Sequence, residues 1–194
     1  LPELLKDFKK PAVICDENTY SAAGKRACAL LGGCLAVVLS PENLHADEKA
    51  VAKAAGMLTD DVDILVAAGS GTIHDTTRYI AAERRISFVS VPTAASVDGF
   101  VSTVAAMTWH GFKKTLPAVA PEYVLADSGI FSKAPMRLTA AGVCDLLGKY
   151  TALADWKISA VVTGEYICER VCSLEEKALE EVSKCSASLA AGDK

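Results

Sequence analysis

The sequence predicts an α/β protein: an open, mostly parallel sheet with helices on both faces, followed by a helical segment. Three observations predict it. Short apolar runs and helical patterns alternate as βαβαβαβ through the first half of the chain. A glycine-rich turn, Gly69-Ser70-Gly71-Thr72, joins a buried strand to a helix. Beyond Ser132 only helical patterns remain. The division falls near residue 130, giving an α/β domain over 1–130 and part of a helical domain over 131–194.

The elements follow in order. Pro11 introduces an apolar strand at 12–15, which ends at Asp16. A helix over about 19–31 closes at Gly32-Gly33. A second strand covers 35–39, and Ser40-Pro41 turns the chain into a helix over about 44–58. A third strand at 64–68 enters the glycine turn, a helix runs from about Ile73, and a fourth strand covers 86–91. Alternation at 104–108 and the turn His110-Gly111 suggest a hairpin-like excursion between Gly99 and Pro121. A short strand covers 123–126. Ser132 is read as a cap, before helices over 136–162 and about 165–190 interrupted at Gly164. Leu174, Ala178, Val182, Cys185 and Leu189 form a stripe at helical spacing, expected to pack on further helices or on a second subunit.

The chain has 194 residues, 51% hydrophobic and 23% charged, which excludes a disordered chain. Its net charge of −4, with no basic run interleaved with aromatics, argues against nucleic-acid binding. No apolar run is long enough to span a membrane. The cysteines number seven, an odd count in mostly apolar positions, which reads as a reducing, cytoplasmic setting. Cys168 and Cys172 lie one helical turn apart, as a metal pair or as two helix positions.

Several residues could carry chemistry. The N–H groups of Gly69, Ser70, Gly71, Thr72 and Ile73 sit where a helix N-terminus can hold a phosphate; equally, a tight turn can require glycine for positive φ. The run lacks the third glycine of G-x-G-x-x-G, since His74 stands there. Asp75 either belongs to that site or simply meets the helix dipole. Asp16 reads as a turn acid or as a ribose-binding acid, and the latter leans towards NAD over NADP. Thr93, Ser96, Asp98 and Ser102 follow the fourth strand and could orient a polar ligand, or cap a loop. Asp145 lies in the apolar Ala140-Ala141-Gly142-Val143-Cys144-Asp145-Leu146-Leu147, either as a metal ligand or as the partner of Lys149 one turn on.

Taken together, these motifs resemble the iron-containing alcohol dehydrogenase superfamily, which includes glycerol dehydrogenases and dehydroquinate synthases. The run Ser90-Val91-Pro92-Thr93-Ala94-Ala95-Ser96-Val97-Asp98-Gly99 is most similar to the sn-glycerol-1-phosphate dehydrogenases. The Lys-bearing glycine loop of dehydroquinate synthases is absent. Ala126-Asp127-Ser128 and Lys133-Ala134-Pro135-Met136-Arg137, followed by Ala141 to Asp145, are also superfamily-like.

The resemblance implies a Rossmann-like NAD(P) domain, a helical metal domain, and a site in the cleft between them. It implies reversible hydride transfer between NAD(P)H and a small phosphorylated substrate, dihydroxyacetone phosphate, giving sn-glycerol 1-phosphate. Gly71 to Asp75 would hold the pyrophosphate. Thr93, Ala94, Ala95 and Ser96, with Ser102, would flank the nicotinamide half. Asp98 would contact substrate, and Asp145 would contact both substrate and a Zn2+ (or Ni2+) ion. The family's remaining metal ligands are histidines on later helices, so the resemblance makes this a truncated chain, inactive alone. A glycerol dehydrogenase-like polyol oxidoreductase and a non-catalytic dinucleotide-binding module are the other readings.

Overall fold

The computed structural model describes residues 1–193. Strands β1 (Pro11–Asp16), β2 (Leu35–Leu39), β3 (Ile64–Gly69), β4 (Ser87–Pro92) and β7 (Tyr123–Val124) form one sheet in the order β2-β1-β3-β4-β7. Every pairing in it is parallel. Strands β1 and β3 are buried almost throughout, as expected of strands covered on both faces.

Period-two alternation divides the core. Ala12, Ile14, Leu65 and Ala67 face one layer with Val37, Ile73, Ile80 and Phe88. Val13, Cys15, Ile64, Val66 and Ala68 face the other, with Leu5, Ala23 and Ala27. Helices α3 (Glu48–Met57) and α4 (Gly71–Arg84) cover the first layer. The second is covered by a helical stretch made of α1 (Glu17–Thr19), a π-helical segment Tyr20–Gly24 and α2 (Lys25–Leu30). A Cβ on Gly24 would stand 3.1 Å from Cys15 Sγ, so glycine there lets the π segment lie close to β1.

The excursion after β4 is an antiparallel hairpin of β5 (Val104–Trp109) and β6 (Phe112–Pro117). Its turn residues His110 and Gly111 both have positive φ, 52° and 77°, as a two-residue I′ turn requires.

The contacts divide the chain into two compact units, one of 1–94 with 99–133, the other of Ala95–Asp98 with the residues from Ala134 onward. The sequence reading instead leaves Ala95–Asp98 in the α/β part. Asp127 caps the short helix α5 (Ser128–Phe131), through its side chain and Gly129 N–H; Ser132 ends that helix, and Pro135, not Ser132, is the N-cap before Met136. The expected helix over 136–162 is two helices, α6 (Met136–Leu147) and α7 (Lys149–Thr163), joined at Gly148. Helix α8 (Glu169–Ala190) buries Cys172 and Leu179 with Leu153 of α7. The stripe divides: Val182 and Leu189 line an apolar cavity of about 260 Å³ with Val97 and Val143, while Leu174 and Cys185 face solvent.

Candidate functional site

Strand order reverses between β1 and β3, since the chain steps outward to β2 on one side and to β4 on the other. Ligands of open α/β sheets bind outside the strand C-termini at such a point. Asp16 ends β1 and Gly69 ends β3, so two of the sequence-predicted residues fall there.

Helix α4 begins directly after β3. Its N-cap, Ser70, is extended (φ −110°, ψ −161°) and makes no side-chain cap hydrogen bond. The first-turn N–H groups of Gly71, Thr72 and Ile73 therefore have no side-chain cap, and the helix dipole adds positive potential there. Neither Gly69 nor Gly71 has a positive φ. The turn-geometry reading of these glycines is thus corrected: a Cβ on Gly69 would stand 2.5 Å from Ile73 Cβ, and glycine permits that close approach. The Thr93 N–H donates to Gly69 O at 2.8 Å, which fastens the loop after β4 to the glycine turn. Thr93 and Ala94 are buried there.

His74 and Asp75 face structural partners. The His74 ring spans Ser70 O (Nδ1, 3.0 Å) and Ser90 Oγ (Nε2, 2.7 Å), and its edge meets Phe100 at 4.8 Å. A carbonyl only accepts, so Nδ1 carries the proton and Nε2 accepts from the Ser90 hydroxyl. Burial pushes the imidazole down to about 4, so the neutral form fits this pairing. Asp75 Oδ1 accepts from Arg78 at 2.8 Å. Arg78, only 1% exposed, also donates to Gly99 O (2.6 Å) and Val104 O (3.0 Å). Burial outweighs their mutual attraction on both sides, raising the Asp75 carboxyl and lowering the guanidinium. Arg78 thus fixes both ends of the Gly99–Val104 loop. Ser102 lies in that loop, where its Oγ donates to Val104 O and accepts from Val104 N–H.

Asp16 is the N-cap of α1. Its Oδ1 accepts from Thr19 N–H at 2.8 Å while Thr19 Oγ1 accepts from Asp16 N–H at 2.9 Å, a reciprocal capping box. The carboxylate is half-buried, and its Oδ2 takes no hydrogen bond among the described residues.

In the second unit, Ala95 is exposed and Ser96 buried. A Cβ on Gly142 would lie 1.9 Å from Ala95 O, so α6 accepts the 95–98 loop only at a glycine. Asp145 Oδ2 accepts from Asp98 N–H at 2.9 Å. Lys149 Nζ stands 2.6 Å from Asp98 Oδ2. The expected Asp145–Lys149 pair is therefore replaced by two links through Asp98. The bond to Asp98 holds the Lys149 ammonium above its usual range.

Sequence reasoning did not single out Ser90 or Arg78. A basic residue inside a helix between Thr77 and Ile80 gave only a weak signal for Arg78. Among the described residues no three His, Cys, Asp or Glu side chains come together to hold a metal. Cys172 is a helix position buried against Leu153 and Leu179, while Cys168 is the extended N-cap of α8 and not a helix position.

Residues 1–135 match the family model for iron-containing alcohol dehydrogenase. The chain belongs to this family. Among curated relatives, glycerol-1-phosphate dehydrogenase (NAD(P)+) of Bacillus velezensis is 41% identical, covering 98% of this chain and 51% of the relative. The enzyme of the same name from Methanosphaerula palustris is 34% identical over 93% of this chain and 50% of its own length. The chain thus spans about half the length of the curated relatives it matches. A crystal structure of a probable glycerol dehydrogenase from Sinorhizobium meliloti superposes with a TM-score of 0.78 at 20% identity, covering 97% of this chain and 54% of that one. That likeness supports the α/β fold with a Rossmann-like domain that the sequence predicts.

Proposed function

We propose that this chain carries the nucleotide-binding part and the first substrate-contacting residues of an NAD(P)-dependent oxidoreductase interconverting dihydroxyacetone phosphate and sn-glycerol 1-phosphate. The observation that carries it is the Thr93 N–H to Gly69 O bond at the reversal point of the sheet. It joins the glycine turn and the Pro92-Thr93-Ala94 run into one polar edge at an uncapped helix N-terminus. The names of the curated relatives support the activity and the nucleotide.

In this reading the N–H groups at 71–73 hold the pyrophosphate. Gly69, Ser70, His74 and Asp75 shape the turn and its helix, and Asp16 Oδ2 accepts ribose hydroxyls. Thr93, Ala94, Ala95, Ser96 and Ser102 form the wall for the nicotinamide half. The bound nucleotide supplies the hydride donor. Asp98 and Asp145 face the substrate's free hydroxyl, which donates to a carboxylate, and so orient its carbonyl. A Zn2+ or Ni2+ ion would polarise that carbonyl. Asp145 would give it one carboxylate, but a catalytic zinc usually takes three protein ligands, so the ion is not held by the described residues alone. This chain alone is therefore expected to bind the nucleotide without turnover. A reducing, cytoplasmic setting suits the free cysteines.

The test is turnover of dihydroxyacetone phosphate with NADH or NADPH by the full gene product, with and without Asp145→Ala. Metal-dependent turnover abolished by the substitution supports the reading; undiminished activity rejects the role of Asp145.

A further inference from the structure

In the second unit the Asp145 carboxylate accepts the backbone N–H of Asp98, itself an acid, and a phosphorylated substrate brought to these two residues meets charge of its own sign. Lys149 stands with them. Its Nζ lies 2.6 Å from Asp98 Oδ2, and its side chain remains 29% exposed. Helical spacing alone would pair Lys149 with Asp145. Instead Asp145 takes the backbone N–H of Asp98, and Lys149 takes that residue's side chain. The ammonium has three donors, of which Asp98 engages one. Two other lysines of the unit, Lys157 and Lys184, are directed to Glu176 and Glu180.

We propose that Lys149 is a specificity-determining residue: its remaining donors take the substrate's phosphate beside Asp98, so the site prefers a phosphorylated polyol to the neutral one. This rests on the functional reading above. Without the lysine, two acids would face the phosphate unopposed. A neutral polyol makes no such demand, so its use depends little on the lysine.

The experiment compares wild type, Lys149→Met and Lys149→Arg in the full gene product. Steady-state kinetics use dihydroxyacetone phosphate and dihydroxyacetone, and calorimetry measures sn-glycerol 1-phosphate against glycerol. Lys149→Met is expected to raise KM for the phosphorylated ketone about 10- to 100-fold. It should leave kcat/KM for dihydroxyacetone within about twofold and the nucleotide KM unchanged, while Lys149→Arg keeps most of the preference. An equal loss on both ketones would overturn the assignment, leaving Lys149 as a holder of Asp98. Wild-type protein that neither turns over nor binds either phosphorylated compound would sink the functional reading and the assignment with it. Wild-type turnover without the unequal loss would sink the assignment alone.

Discussion

The imidazole of His74 ties the start of α4 to β4 by accepting the Ser90 hydroxyl at 2.7 Å while donating to Ser70 O at 3.0 Å. The residue occupying the third-glycine position is thus a neutral strut beneath the glycine turn.

This strut makes stability depend on acid. Burial holds the folded imidazole at about 4, against 6.5 when exposed, so between those values the unfolded chain binds more protons. The contribution of His74 is fully present above about pH 6.5 and is lost as pH falls towards 4, by about 3 kcal/mol in all. Urea unfolding at pH 7 and pH 5 should show a larger drop for wild type than for His74→Gln, which cannot titrate. Equal drops would show that the imidazole is not held neutral.

Gly69→Ala places a methyl group 2.5 Å from Ile73 Cβ at the junction of β3 and α4. Both atoms belong to packed elements, so the expected loss is about 1–3 kcal/mol by chemical denaturation. Nucleotide affinity should fall with it, because the first turn of α4 must move. An unchanged melt would mean that the junction yields freely.

Arg78→Leu removes the guanidinium from the Asp75 carboxylate and from the carbonyls of Gly99 and Val104. Breaking a buried pair from one side costs about 3–5 kcal/mol. Limited proteolysis should then cut within the Gly99–Val104 loop. A stable, uncut variant would show that the loop is held by other means.

Gly142→Ala directs a Cβ to within 1.9 Å of Ala95 O, so the 95–98 loop must shift on α6. In the full gene product this should raise the nucleotide KM and lower kcat/KM for substrate together, because the reading gives Ala95 and Ser96 to the nicotinamide half and Asp98 to the substrate. Unchanged kinetics would show that the loop serves neither.

Much of this was legible in the chain. Strand β2 falls on the predicted residues, and β1, β3 and β4 lie within one residue of them, because short β-branched runs between glycine and proline turns admit few alternatives. The motif at 90–99 pointed to the family that the model match establishes. Long-range pairing was not legible. Helical spacing offered Lys149 to Asp145, whereas the structure gives it to Asp98, more than fifty residues away in sequence. Arg78 was overlooked for the same reason: two of its partners are backbone carbonyls that carry no sequence signature. The break at Gly148 was hidden because the residue stays helical at φ −57°, and the flanking pattern runs through it.

The central claim is that the edge built by Gly69, Thr93 and the first turn of α4 holds a nicotinamide dinucleotide. Isothermal titration of this chain with NADH and NADPH tests it most directly. The account predicts saturable one-to-one binding at millimolar ligand or below, weakened in Gly69→Ala. No measurable binding of either nucleotide at millimolar concentration, by protein shown to be folded, would contradict it.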